Sequence, residues 1–196
     1  MFLHEDSLSK LSYIFHIFTD VKDGSMIVAV LGAGDQGRSH ARVMAHILKP
    51  EKIMVWSRRL ESAKALCAVL CGEGIPAEAV ATVQEAVKEA DVINSCTATS
   101  TPILKAEWVK PGAHINSVGA PSPDKQEMEG DLVRSATIYT DSYESAREES
   151  GGSYYNGHLT NDNNSTAYLK KSNSISYIKE NMNNSYNSHS LKFSHS

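Results

Sequence analysis

The residues with the clearest chemical potential form a glycine-rich turn after the first apolar run of the chain, 27–31. The turn consists of Gly32, Ala33, Gly34, Asp35, Gln36 and Gly37, in the pattern G-x-G-x-x-G. Where this pattern joins a strand to a helix, main-chain N–H groups at the helix N-terminus bind the pyrophosphate of a dinucleotide. The spacing therefore predicts a dinucleotide-binding turn.

Each glycine of this turn has a separate expected task. Gly32 permits a tight turn, Gly34 lets the main chain approach a pyrophosphate, and Gly37 lets the helix pack against the strand. The alternative interpretation is a glycine-rich turn that binds no ligand.

The second candidate group follows the second predicted strand, where an acidic residue commonly binds the ribose of NAD. This chain has Ser57, Arg58 and Arg59 there instead. Arginine forms paired, charge-assisted hydrogen bonds with phosphate, whereas a carboxylate repels it. These residues therefore favour NADP(H) over NAD(H), because NADP(H) carries a phosphate on the adenosine 2′ oxygen. The alternative is a solvated basic turn.

A small, hydroxyl-rich loop, 95–101, follows the fourth predicted strand. Thr97, the first residue past that strand, is expected to approach the cofactor, although such loops also form turns that only cap the next segment.

Cys96 is interpreted as a core residue and not a nucleophile, because no paired base is apparent. His40 and His114 have no partner at metal-ligand spacing and are interpreted as structural or surface residues. The sequence thus indicates no metal site and no catalytic residue.

Alternating strand and helix patterns provide the frame for these residues. Strands are predicted at 27–31, 53–56, 80–81, 92–93, 114–118 and 137–140. Amphipathic helices are predicted after the glycine turn up to Pro50, at 60–71, at 83–89 behind a Thr82 cap, and at 126–134. This order predicts an α/β fold: a doubly wound, mostly parallel sheet of the Rossmann type.

The composition divides the chain into three parts. Residues 26–151 are predicted to be an NADP(H)-binding Rossmann domain, and residues 1–25 a separate N-terminal extension. Residues 152–196 contain nine Asn and ten Ser but no Val or Pro, so this segment buries too little apolar surface to offset the entropy of ordering. The sequence therefore predicts a disordered C-terminal tail.

Charge and cysteine content limit the partners and the compartment. A net charge of −4 and a pI near 6.1 argue against nucleic acid or an anionic membrane as partner. The three cysteines have no disulfide spacing, which favours a reducing, cytoplasmic location. The sequence has no run of about 18 apolar residues, so no transmembrane span is expected.

The stretch 28–151 resembles the ornithine cyclodeaminase/mu-crystallin family, most closely its mu-crystallin branch. The resemblance is carried by Leu31-Gly32-Ala33-Gly34-x-Gln36, Ser39-His40, Trp56-x-Arg58, Val83 to Val87, Ala90 to Ile93, Glu107 to Asn116, Val118 to Ala120 and Asp141-Ser142. It implies an NADPH-dependent reductase that transfers hydride to the C=N bond of cyclic ketimines. In mu-crystallins it also implies thyroid hormone binding, and in the family a homodimer.

The resemblance also implies roles for single residues. Cofactor contacts would be Ala33, Asp35, Gln36, Ser57, Arg58, Arg59, Ser62, Thr97, Ala98 and Val118. Glu149 matches a glutamate near the substrate or hormone pocket. Pro121 stands where cyclodeaminases have aspartate and mu-crystallins have serine beside the nicotinamide.

Both flanks lack the family pattern, including its N-terminal substrate and dimerisation half. The expected explanation is a truncated or alternatively spliced form, or a faulty gene model. Two other functions remain open: a non-catalytic NADP(H)-binding module, and an NAD(P)-linked amino-acid dehydrogenase or cyclodeaminase.

Overall fold

A computed structural model describes residues 26–119, 125–141 and 165–171 of the 196-residue chain. The strands in this part are β1 (Ile27–Leu31), β2 (Lys52–Trp56), β3 (Ala77–Ala79), β4 (Val92–Ser95), β5 (His114–Ser117), β6 (Ala136–Asp141) and β7 (Ser165–Lys171). The α-helices are α1 (Asp35–Leu48), α2 (Leu60–Gly72), α3 (Val83–Val87) and α4 (Gly130–Arg134), and Ala106–Trp108 forms a 3-10 helix. No helix among the described residues is long and apolar enough to cross a membrane.

The strands form one sheet in the order β3-β2-β1-β4-β5-β7-β6. Strands β1 to β5 are parallel to one another. From β1 the chain first builds outward through β2 and β3 and then returns to place β4 on the other side of β1. This confirms the predicted doubly wound Rossmann fold and puts its topological switch point between β1 and β4.

Helices pack on both faces of the sheet because successive strand side chains point to opposite faces. Val28 and Val30 of β1 are fully buried against α1 and α2, in one core cluster with Met44 and Leu66. The intervening residues of β1 belong to a second cluster, with α3 and α4. The continuous apolar run of β1 is therefore the sequence signature of a strand covered on both sides.

The sheet differs from the prediction at the edge formed by β7 and β6. The predicted sheet is mostly parallel, and its last strand is expected at 137–140. β7 lies between β5 and β6 and is antiparallel to both, so β6 runs in the same direction as β5 without pairing with it. β7 also places a seven-residue strand within the stretch 152–196, which was predicted to be disordered. This segment contains Thr and Tyr, which favour strands. The other residues of 152–196, and 1–25, lie outside the described residues.

Three predicted elements are shifted or shortened. The helix predicted at 83–89 ends at Val87. The third strand is Ala77–Ala79, where 80–81 was predicted. The helix predicted at 126–134 is confined to Gly130–Arg134, because the preceding residues are extended and Met128 forms a parallel bridge with Leu104. The Thr82 cap is confirmed: its side chain accepts from Glu85 N, and the Glu85 carboxylate accepts from Thr82 N.

The amino-terminal edge of the sheet is held by Asp91. Its carboxylate accepts from Ile27 N at 2.8 Å and from Lys110 Nζ at 2.7 Å. Lys110 also donates to the main-chain oxygen of Glu89 at 2.9 Å. Asp91 and Lys110 both belong to motifs that carried the family resemblance, and in the structure they join the starts of β1 and β4 to the segment before β5.

Candidate functional site

The predicted cofactor residues lie at one edge of the sheet because four parallel strands end at the same level. In the strand register, Leu31 of β1 is aligned with Trp56 of β2 and with Ser95 of β4. Ser95 is in turn aligned with Ser117 of β5. The residues that follow these four positions therefore form a row along the carboxyl-terminal edge, across the switch point.

The glycine turn has the geometry that the sequence predicted for two of its three glycines. Gly32 has a φ of +114°, which glycine adopts without strain, and it donates through N to Trp56 O at 2.8 Å. A Cβ on Gly37 would lie 1.8 Å from Gly32 O, so a glycine allows α1 to start against β1. A Cβ on Gly34 would meet nothing within 4 Å.

The start of α1 has features that suit an anion. Gly34 is the N-cap residue and has no side chain to accept from the first N–H groups of the helix. Gly34, Asp35 and Gln36 are exposed, and Ala33 is half-buried. An exposed, uncapped helix N-terminus beside open space fits a pyrophosphate.

The arginine pair directly follows β2 at this edge. Arg58 and Arg59 are exposed, and neither guanidinium has a hydrogen-bond or ion-pair partner among the described residues. Ser57 and Ser62 are half-buried on either side of the pair, and Ser62 N donates to Arg59 O at 2.9 Å. Within the described part of the chain, no anionic group occupies either guanidinium, so an external anion could bind there.

The remaining predicted contacts follow β4 and β5. Thr97 is half-buried and Ala98 is exposed. Val118 is half-buried and donates through N to Ser95 O at 2.8 Å. The structure thus brings every predicted cofactor residue to one edge, whereas Glu149 and Pro121 lie outside the described residues.

Sequence reasoning missed the most heavily bonded residue of this edge, Glu127. Its fully buried carboxylate accepts five hydrogen bonds. Oε1 accepts from Ser95 Oγ at 2.7 Å, from Thr97 N at 2.6 Å and from Thr97 Oγ1 at 2.7 Å. Oε2 accepts from Ser117 Oγ at 3.1 Å and from Gly119 N at 3.0 Å. We call these five residues the Glu127 cluster.

The main chain around Glu127 is fixed by the segment that follows β4. Glu127 O accepts from Ile103 N at 2.9 Å and from Leu104 N at 3.0 Å. One residue earlier, Gln126 N donates to Thr99 O at 2.9 Å. The prediction of a helix over 126–134 left no reason to place Glu127 at this edge. One feature of the sequence could have indicated the site: the strands β4 and β5 both end in serine, Ser95 and Ser117, and a buried carboxylate could accept from both hydroxyls.

Thr97 is packed between two glycines as well as bonded to Glu127. A Cβ on Gly119 would lie 1.9 Å from Thr97 O and 2.4 Å from Thr97 N. A Cβ on Gly32 would lie 2.5 Å from the oxygen of Cys96, the neighbour of Thr97. The loops after β1, β4 and β5 therefore meet with no room for side chains between them.

Cys96 is not poised as a nucleophile. Burial, and to a lesser extent the charge of Glu127, raises the pKa of its thiol to about 12, so the thiol stays protonated at neutral pH. This agrees with the prediction that Cys96 is not a nucleophile, whereas the residue itself is half-buried and belongs to neither core cluster. Among the described residues, no group of His, Cys, Asp and Glu could hold a metal ion.

The two histidines take part in a polar chain on the α1 side of the sheet. Asn116 Nδ2 donates to Asn94 Oδ1 at 2.8 Å, and Asn116 Oδ1 lies 3.0 Å from His114 Nε2. Burial lowers the pKa of His40, and its side-chain hydrogen bond with Asn94 opposes that shift. Both histidines are therefore structural, as one of the two interpretations from sequence proposed.

The close contact at Gly119 predicts the effect of adding one methyl group there. Gly119→Ala places a Cβ against the Thr97 main chain, and we expect the free energy of unfolding to fall by about 1–3 kcal/mol. Gly72→Ala is the matched control, because a Cβ there meets nothing within 4 Å. Urea unfolding of both variants measures the difference. Equal stability of the two variants would contradict the contact.

Comparisons with known proteins show a family similarity over most of the chain. The family model described as ornithine cyclodeaminase/mu-crystallin family matches residues 18–181, beyond the predicted domain at both ends. The ketimine reductase mu-crystallin of Mus musculus is 42% identical over 128 residues, which are 65% of this chain and 40% of that protein. The Delta(1)-pyrroline-2-carboxylate reductase of Paracoccus denitrificans is 33% identical over 116 residues, 59% of this chain and 37% of that protein.

Solved structures give the same fold. The Thermococcus litoralis Delta(1)-pyrroline-2-carboxylate reductase in complex with NADH and L-proline superposes with a TM-score of 0.66 at 29% identity, covering 72% of this chain and 44% of that chain. The iminosuccinate reductase of Paracoccus denitrificans in complex with NAD+ gives 0.65 at 29% identity, covering 74% and 45%. The chain spans about 40% of the length of the curated relatives it matches. From the extent of the family match, the chain belongs to the ornithine cyclodeaminase/mu-crystallin family.

Proposed function

We propose that this chain is the dinucleotide-binding part of an NADPH-dependent reductase that acts on the C=N bond of cyclic ketimines. The observation that carries the proposal is the strand register, which brings the glycine turn, Arg58, Arg59, Thr97 and Val118 to one edge of the sheet. The similarity to ketimine, pyrroline-carboxylate and iminosuccinate reductases supports an imine as the substrate class.

The described residues fit a dinucleotide. Gly34 borders open space at the start of α1, where the pyrophosphate would accept from main-chain N–H groups. Asp35 and Gln36 flank this position, and Ser57 and Ser62 lie beside the adenosine end. When bound, the cofactor would supply the hydride, and the residues of this chain would bind and orient it.

The choice of NADP(H) over NAD(H) depends on the residues after β2. Arg58 and Arg59 are exposed cations without partners among the described residues, so they can bind a 2′-phosphate without first breaking an ion pair. Two of the similar solved structures contain NAD+ or NADH. A preference for NADP(H) would therefore distinguish this chain from the two proteins that were solved with NAD+ or NADH.

Substrate and partners follow from the family resemblance. A cyclic ketimine would reach the edge near Thr97 and Val118, with Glu149 as a substrate contact. Thyroid hormone is a second small-molecule ligand by the same resemblance, and a homodimer is the proposed assembly. We propose a cytoplasmic location, in keeping with the three free cysteines of the described residues.

Pro121 favours a second candidate, a non-catalytic NADP(H)-binding module, because proline has no N–H or side-chain donor where relatives have aspartate or serine. Oxidation of NADPH in the presence of a cyclic ketimine separates the two functions. We expect ketimine-dependent turnover by the reductase. Saturable NADPH binding with no turnover at high protein concentration would favour the module.

The arginine after β2 gives a direct test of cofactor choice. We expect Arg58→Glu to weaken NADPH binding by about 10- to 100-fold and NADH binding much less, because the new carboxylate would repel only the 2′-phosphate. Lys88→Glu makes the same change of charge at an exposed position after α3, from which the chain leads to the amino end of β4. Calorimetry with both nucleotides measures the effect.

We expect Lys88→Glu to leave both affinities near those of the unmodified chain. An equal loss of NADPH and NADH binding in Arg58→Glu would contradict the 2′-phosphate assignment. Tighter binding of NADH than NADPH by the unmodified chain would instead support an NAD-linked amino-acid dehydrogenase.

A further inference from the structure

We propose that Glu127 is a positioning residue that fixes the Thr97 hydroxyl as a hydrogen-bond acceptor toward the cofactor cleft, where it recognises the carboxamide N–H2 group of the nicotinamide. This inference rests on the proposed function, because it assigns a role to Thr97 within the same cofactor site. The sequence predicts a cofactor contact for Thr97 without indicating which group of the cofactor it meets, and it predicts no role for Glu127.

The direction of the hydrogen bonds follows from two partners that can only donate. Thr97 N faces Oε1 of Glu127, and Gly119 N faces Oε2. Both carboxylate oxygens must therefore accept. Glu127 forms no ion pair with a cation among the described residues, so these donors are what stabilises the buried group.

The Thr97 hydroxyl has one proton, and this proton is used in the 2.7 Å bond to Oε1. What remains on Oγ1 is lone-pair density, which can only accept. Thr97 is half-buried at the end of β4, and its Cγ2 would be 3.4 Å from a Cβ on Gly32. The Thr97 side chain thus approaches the glycine turn through its methyl group, and a ligand spanning the switch point would pass this side chain.

An acceptor at this point selects the chemistry of the ligand group that it meets. A neutral amide N–H2 donates and suits it, whereas a phosphate or carboxylate would bring only acceptors. The nearby Glu127 charge would also repel an anion. On a dinucleotide, the nicotinamide carboxamide, the adenine N–H2 and the ribose hydroxyls can all donate. The adenine belongs at the β2 end and the phosphates at the start of α1. Of the donors that remain we assign the carboxamide, which the analogue comparison below separates from the ribose hydroxyls.

The test compares NADP+ with its 3-acetylpyridine analogue, in which a methyl ketone replaces the carboxamide and cannot donate. We expect the full 196-residue chain to bind NADP+ about 3- to 10-fold more tightly than the analogue, the range of one neutral hydrogen bond. Thr97→Val removes the hydroxyl at nearly constant shape, and we expect it to abolish this preference. Thr97→Ser keeps the hydroxyl and should preserve it.

Glu127→Gln tests the positioning role separately. In either orientation, the N–H2 of the amide faces a main-chain N–H that can only donate, from Thr97 or from Gly119. We expect this variant to lose affinity for NADP+ by at least 10-fold and to lose the preference over the analogue, with circular dichroism reporting whether it is folded. If it does not fold, the Thr97 pair decides the question.

The outcomes distinguish this inference from the proposed function. Tight NADP+ binding by the unmodified chain with the same analogue ratio in Thr97→Val would overturn the inference and leave the cofactor site standing. No binding of NADP+ by the folded, unmodified chain would overturn both. A ratio lost in Thr97→Val and retained in Thr97→Ser would support the acceptor role.

Discussion

A carboxylate without a neighbouring cation is stable in a protein interior only where hydrogen-bond donors replace the water that it loses. Glu127 meets this requirement with five donors from the ends of β4 and β5 and the loops beyond them. Each donor must stay within about 3 Å of the carboxylate, so the two loops cannot separate without leaving the group unsatisfied. The position of Thr97, and the contact between the loops at Gly119, depend on this constraint.

The two edges of the sheet use carboxylates differently. At the amino-terminal edge, Asp91 pairs with Lys110 and with the start of β1, which joins the starts of the strands. At the carboxyl-terminal edge, Glu127 takes all its bonds from main-chain N–H groups and hydroxyls, while Arg58 and Arg59 remain unpaired within the described residues. The Asp91–Lys110 pair and the two arginines therefore lie at opposite ends of the parallel strands.

Features encoded locally could be predicted from the sequence, and features encoded by distant residues could not. The glycine turn, the buried run of β1 and the Thr82 cap depend on residues within a few positions, and their roles follow from φ angles, periodicity and capping chemistry. Glu127 is 32 residues from Ser95 and 10 from Ser117, so nothing near it in the sequence indicates its donors. β7 was missed for a related reason: its pairing with β5 and β6 outweighs the polar composition around it.

The central claim is that a dinucleotide lies along the carboxyl-terminal edge, from the start of α1 to Thr97. It is tested most directly by mapping amide chemical shifts of the labelled 196-residue chain as NADPH is added. The account predicts that the largest changes cluster at Gly34 to Gly37, Arg58, Arg59, Thr97 and Val118, with little change at Asp91 and Lys110. Changes centred on the opposite edge, or none in the folded chain at saturating NADPH, would contradict it.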